Sequence, residues 1–263
     1  MVSFLQSQPL WLSCLLLVGL PTGLAMLGPI LVRRYVTLDR LTANNEVAGF
    51  KFAVVGVLYA VLLAFAIIVV WEKFTDADNI VAREAGAATN VYRLSYGVAE
   101  APATSLRARL SDYLAATISD DWPAMEHANE SSSARRALDA VYGSVLVSLS
   151  AQSHSALVAE ILHQLDEITQ ARRSRLAAAD GTVPGVIWPV LFGGAAVTIG
   201  FTFFFGSQNL LAQSFMTGLL SVVIFSGLWI VLVIDRPFSG AVTVAPDAIA
   251  KVLAEFGTTP AAH

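Results

Sequence analysis

Four stretches of this chain are apolar for about the thickness of a bilayer, and a polar block of about a hundred residues separates the second from the third. A helix needs roughly 20 apolar residues to cross a hydrocarbon core. Residues 11–32, 52–71, 184–206 and 213–234 meet that length, and none carries an ionisable side chain near its middle. Backbone groups inside lipid must satisfy one another, so such stretches are expected as helices. The expected fold is all-α: a polytopic membrane protein with four transmembrane helices and a helical extramembrane insert between spans two and three. Composition agrees. Of the 263 residues 56% are hydrophobic and only 14% charged, whereas soluble domains carry about a quarter charged residues. The excess apolar surface calls for a lipid bilayer or partner subunits.

The stretches divide the chain into a first transmembrane pair (1–71), a cytoplasmic helical domain (72–180), a second transmembrane pair (181–240) and a C-terminal tail (241–263). The first span is expected to be irregular, because it holds Pro21, Gly28 and Pro29. It is read as a retained span, since residues 1–10 lack the basic residues of a signal peptide. Four crossings put both termini and the insert on one side. Near the span ends that side carries Lys73, Arg83, Arg172, Arg173, Arg175, Arg236 and Lys251, against Arg33, Arg34, Arg40 and Lys51 opposite. The excess points to the cytoplasm for the insert and both termini.

The insert reads as helix throughout. Val81, Ala85, Ala88 and Val91 recur at helical spacing, so the second span is expected to continue beyond the membrane. Pro102 suits the first turn of a helix with Leu106, Leu110, Tyr113 and Leu114 on one face. Asp120 to Pro123 is expected to break that helix. Ser131 to Ser133 offer caps for the next, and Ser153 or Ser155 for the last, whose stripe includes Ile161, Leu165 and Ile168. With ten basic and fourteen acidic residues interspersed over 73–180, the block resembles an ordinary solvated helical surface.

Chemistry-bearing patterns are scarce. No G-x-S-x-G elbow, phosphate-binding loop or G-x-G-x-x-G is present. The chain has four histidines, and Glu160 with His163 is the single Glu-x-x-His, where a di-metal bundle wants two. His163, Asp166 and Glu167 are read as a solvated helix face. Cys14 is read as a small apolar residue. No metal, cofactor or catalytic residue is expected, and the net charge of −4 gives no footprint for nucleic acid.

Small residues are the clearest signal within the spans. Gly19 and Gly23 in the first, Gly56, Ala60 and Ala64 in the second, and Ser214 and Gly218 in the fourth repeat at the spacing that lets helices approach closely. Each stripe serves packing within the chain or a subunit interface. Candidate pore or mouth residues are Tyr59, Thr217, Ser221 and Phe225 within the spans. At the span ends they are Glu72 and Lys73, and Asp235 and Arg236, which would form charged rings in an oligomer.

Several runs resemble one family. Gly56-Val57-Leu58-Tyr59-Ala60-Val61-Leu62-Leu63-Ala64-Phe65, Trp71-Glu72-Lys73-Phe74 and Ala82-Arg83-Glu84-Ala85 are similar to a bacterial membrane family labelled "bestrophin-like domain". So are Tyr113 with Asp121-Trp122-Pro123, Arg172-Arg173-Ser174-Arg175-Leu176, Pro184 with Trp188, and Asp235-Arg236-Pro237-Phe238-Ser239-Gly240, over residues of about 48–245. The label points to bestrophins, pentameric anion channels with four-span subunits and a helical cytosolic portion. No bestrophin pore or calcium-site motif is found here. The resemblance and the spans together imply a homo-oligomeric passive channel for small inorganic ions. A non-conducting scaffold or sensor, whose insert binds a partner protein, is the alternative.

Overall fold

The computed structural model describes residues 8–148, 156–181 and 183–258. Among these, every regular element is a helix. The chain separates into two compact units, residues 1–72 with 182–235, and residues 73–181 with 236–263.

In the first unit, α1 runs Leu10–Tyr35, α2 Leu38–Thr42, α8 Ile187–Thr202 and α9 Leu210–Ile234. The helix α3, Asn45–Leu94, contributes its first part here. Among the described residues three helices, α1, α3 and α9, are long and apolar enough to cross a membrane. The fourth apolar helix, α8, has 16 residues. It rises about 24 Å, short of a roughly 30 Å hydrocarbon core. The irregularity expected of α1 takes the form of a π-helical turn over Leu15–Gly19. Pro21 follows it. A proline has no N–H to give the carbonyl four residues back, so a wider turn there costs little.

Helix α9 packs along α1, and α8 packs on both. Trp229 donates through Nε1 to Ser13 Oγ at 3.0 Å, and Thr22 Oγ1 lies 3.3 Å from Ser221 Oγ. The link after α8 is pinned on several sides. Asn45 exchanges two hydrogen bonds with the Gly206 backbone at 2.7 and 2.8 Å, Arg33 donates to Ser207 O, and Gln213 Nε2 donates to Phe205 O at 2.6 Å.

The second unit holds the rest of α3, then α4 (Glu100–Ala116), α5 (Trp122–Met125), α6 (Ser132–Ser148), α7 (Ala156–Ala178) and α10 (Asp247–Thr258). The second apolar stretch does continue as one uninterrupted helix of 50 residues. The break expected at Asp120 to Pro123 lies later. A π turn, Thr117–Asp121, carries the helical path on into α5, and the chain leaves it only after Met125. Pro123 sits in the first turn of α5 directly after the π turn, whose wider path accommodates a residue without an N–H. Ser131 Oγ accepts from Ser133 N at 3.2 Å at the start of α6. Ser153 and Ser155 lie outside the described residues.

The core of this unit joins Val81, Ala88 and Val91 of α3 to Leu106, Leu110 and Leu114 of α4, Val141 of α6, and Ile161, Leu165 and Ile168 of α7. The segment 236–258 belongs to the same core through Phe238, Val244 and Ile249. Tyr92 stacks on Phe256 with ring centroids 3.8 Å apart.

Candidate functional site

In the first unit the helix surfaces differ sharply in cover. Within its most apolar stretch α3 is 11% buried, against 50% for α9. Val57, Leu58, Val61, Phe65 and Ile68 of α3 are exposed. A soluble protein does not leave such a face to water; it belongs against lipid, another subunit or a narrow conduit.

The small-residue stripes separate on this surface. Gly218 is internal: a Cβ there would come within 2.9 Å of the Met26 side chain, which explains why α9 lies so close to α1. Gly19 and Gly23 are exposed and border a groove of about 480 Å³ with Leu15, Leu16, Leu20 and Leu24. Ala60 and Ala64 are exposed, Gly56 is half-buried, and the three line an apolar groove of about 510 Å³ with Tyr59, Thr198 and Val223. Close approaches that spacing alone does not reveal occur at Gly28, where the Phe203 ring occupies the space of a side chain, and at Gly194, where Tyr59 does.

The candidate pore residues are distributed as follows. Tyr59 is buried and its hydroxyl donates to Leu191 O at 3.2 Å. Thr217 and Ser221 are buried, with Thr217 Oγ1 3.4 Å from Thr202 Oγ1. Phe225 is half-buried. Glu72 and Lys73 are exposed, and Lys73 Nζ lies 3.9 Å from Asp76 Oδ2, one turn along the same helix. Asp235 is buried and accepts from Val183 N at 2.7 Å, while Arg236 is half-buried.

The second unit contains an ionic core that sequence reading placed among family motifs without a role. Arg175 is fully buried and forms a fork on Glu84, Nε to Oε2 at 2.7 Å and Nη2 to Oε1 at 3.1 Å. Its Nη2 also reaches Asp121 Oδ2 at 3.3 Å. Arg172 grips the same aspartate through Nε and Nη2 at 2.9 and 3.1 Å. Tyr113 donates to Glu84 Oε1 at 2.5 Å, and Ser131 N donates to Asp121 Oδ1 at 2.9 Å. Trp122 lies under the Arg175 guanidinium at 4.9 Å and donates through Nε1 to Val244 O at 3.2 Å.

Two carboxylates and two guanidiniums thus neutralise one another where each alone would be costly. Burial pushes the Tyr113 phenol well above its ordinary range, and the negative charge of Glu84 raises it further. Burial opposes the Arg175 charge, but Glu84 above all, then Tyr113 and Asp121, hold the guanidinium above its usual range.

A signal for this core exists in the sequence. Glu84 falls on the stripe of Val81, Ala88 and Val91, and Arg172 and Arg175 extend the stripe of Leu165 and Ile168. A charge on an otherwise apolar helix face is either misplaced or partnered. Among the described residues no three His, Cys, Asp or Glu side chains gather to hold a metal.

A bundle of long apolar helices with a bare membrane-length face, joined in sequence to a helical unit built on a buried ionic core, defines a helical membrane protein. The chain belongs to the bestrophin-like domain family, which matches residues 19–249. Solved structures share the fold. One, described as a point mutant of a bacterial bestrophin homologue from Klebsiella pneumoniae, superposes with a TM-score of 0.71 at 14% identity, covering 92% of this chain and 99% of that one. A second structure of a Klebsiella pneumoniae bestrophin homologue, phased on zinc, gives 0.69 at 16% identity over 91% and 98%. A third, described as a membrane protein with a glycine-to-alanine substitution, gives 0.73 at 15% identity over 94% and 98%. No curated protein matches the chain.

Proposed function

We propose that this chain is one subunit of a homo-oligomeric, passive ion channel in a bacterial inner membrane, with the helical insert and both termini cytoplasmic. The observation that carries the reading is the bare face of α3, apolar and without a charged group between Lys51 and Glu72. One subunit cannot enclose a path with a single exposed helix. Several copies arranged about an axis would each contribute that face, and hydrophobic walls with charged mouths are a workable passive conduit. The fourth crossing is supplied by α8 with its flanking residues 184–186 and 203–206. Family membership supports conduction, and the bestrophin resemblance favours anions.

On this reading Glu72 and Lys73 stand at a mouth, and the exposed α3 residues Val57, Leu58, Val61 and Phe65 are added to the candidate lining. Tyr59, Thr217 and Ser221 serve packing within the subunit. Asp235 holds the chain entering α8 through Val183 N. The exposed Gly19 and Gly23 stripe suits a subunit contact. No cofactor or metal is called for.

Planar-bilayer recording of the purified protein tests the proposal. A conductance is expected, with a selectivity that shifts in Glu72→Gln and Lys73→Gln. Electrical silence toward both anions and cations overturns it.

A further inference from the structure

A second groove in the first unit, of about 750 Å³, lies where the ends of α1 and α8 meet the α2 segment. Val32, Val36, Phe201 and Phe204 give it apolar walls, and Arg40 and Asn44 stand on its lining as polar groups. Its volume is that of a site for one sizeable amphiphile. Arg40 is exposed and has neither a carboxylate nor any other partner among the described residues. The nearby segment 33–51 carries Arg33, Arg34, Arg40 and Lys51 against Asp39 and Glu46, a net positive rim. Arg33 is held by Ser207 O, whereas Arg40 is free to meet a ligand. The groove also sits at the ends of two apolar helices, the depth at which a bilayer changes from acyl chains to headgroups.

The geometry points to a binding site for one anionic phospholipid, its acyl chain against Phe201 and Phe204 and its phosphate on Arg40 and Asn44. The apolar wall accounts for a chain and the unpaired guanidinium for a phosphate. The inference rests on the membrane placement of these helices and not on conduction. An electrically silent protein leaves it standing.

Native mass spectrometry of the full-length protein in detergent, titrated with phosphatidylglycerol, phosphatidylcholine or inorganic phosphate, tests it. One phosphatidylglycerol per chain is expected to remain bound at concentrations where phosphatidylcholine does not. Arg40→Gln is expected to weaken that retention about five- to tenfold, while Arg34→Gln, whose side chain does not line the groove, changes it less than about twofold. Val197→Trp, which places a bulky ring in the groove from an exposed position on α8, is expected to weaken it as much as Arg40→Gln. Equal retention of the two lipids, displacement by inorganic phosphate, or equal losses in Arg34→Gln and Arg40→Gln each overturn the site. So does crosslinking of Val197→Cys chains to one another, which would make a second copy the occupant.

Discussion

Arg175 and Glu84 meet through two parallel hydrogen bonds with both side chains fully buried, 91 positions apart in the chain. This pair ties α7 to α3 within the helical unit. Together with Asp121 and Arg172 it turns four charges into one neutral, hydrogen-bonded core. Removing one member strands the others. Glu84→Gln is expected to lower the unfolding free energy of this unit by about 3–5 kcal/mol, because two buried arginines are left to share the single carboxylate of Asp121. Denaturant unfolding followed by circular dichroism measures it; a loss under about 1 kcal/mol would show that water enters the core.

Tyr113 supplies a pH test. Its phenol is raised well above the ordinary 10.0, first by burial and then by Glu84. Unfolding returns it to that ordinary value, so above pH 10 the unfolded chain releases a proton that the folded chain keeps. The contribution to stability is complete below that pH and is lost as pH rises beyond it. Tyr113→Phe should flatten this alkaline decline. At neutral pH the same variant should cost about 1.5–3 kcal/mol, the usual worth of a hydrogen bond to a charged group. Unfolding midpoints for both chains at neutral pH and above pH 10 check both parts.

Two glycines with the same look in the sequence should respond oppositely. Gly28→Leu collides with Phe203 inside the subunit and is expected to cost at least about 1–3 kcal/mol of fold stability. Gly23→Leu meets open space and should leave the subunit's unfolding unchanged. If the Gly19 and Gly23 stripe joins subunits, the detergent-solubilised Gly23→Leu protein should fall to a lower mass. Light scattering and thermal unfolding on the same samples separate these outcomes.

Trp122 both underlies Arg175 and donates to Val244 O. Trp122→Phe keeps a ring under the guanidinium and removes the donor. The expected cost is about 0.5–1.5 kcal/mol, in line with one hydrogen bond. Trp122→Ala should cost about 3–5 kcal/mol, since it also opens a cavity beside the ionic core. Thermal unfolding of the two variants side by side checks the order.

The long apolar stretches, the helical insert and the family resemblance are all read without coordinates. Apolar length and 3.6-residue periodicity are local properties of the chain, and lipid leaves the backbone almost no choice but helix. Pro123 shows where local reading falls short. It looks like a helix breaker, yet a π turn absorbs the change and delivers Asp121 into the core. Which small residue faces inward is equally hidden, since Gly218 and Gly23 share a spacing and differ only in whether another helix lies across them.

The chain by itself therefore determined that these segments are apolar helices, three of them long enough to cross a membrane among the described residues, because that depends on composition along a line. Only the tertiary structure decided that Glu84, Asp121, Arg172 and Arg175 neutralise one another, that Tyr59 turns to Leu191, and that α3 remains bare. Charge pairing and close approach are settled by distances between residues far apart in sequence, and periodicity within one helix carries no record of its neighbours.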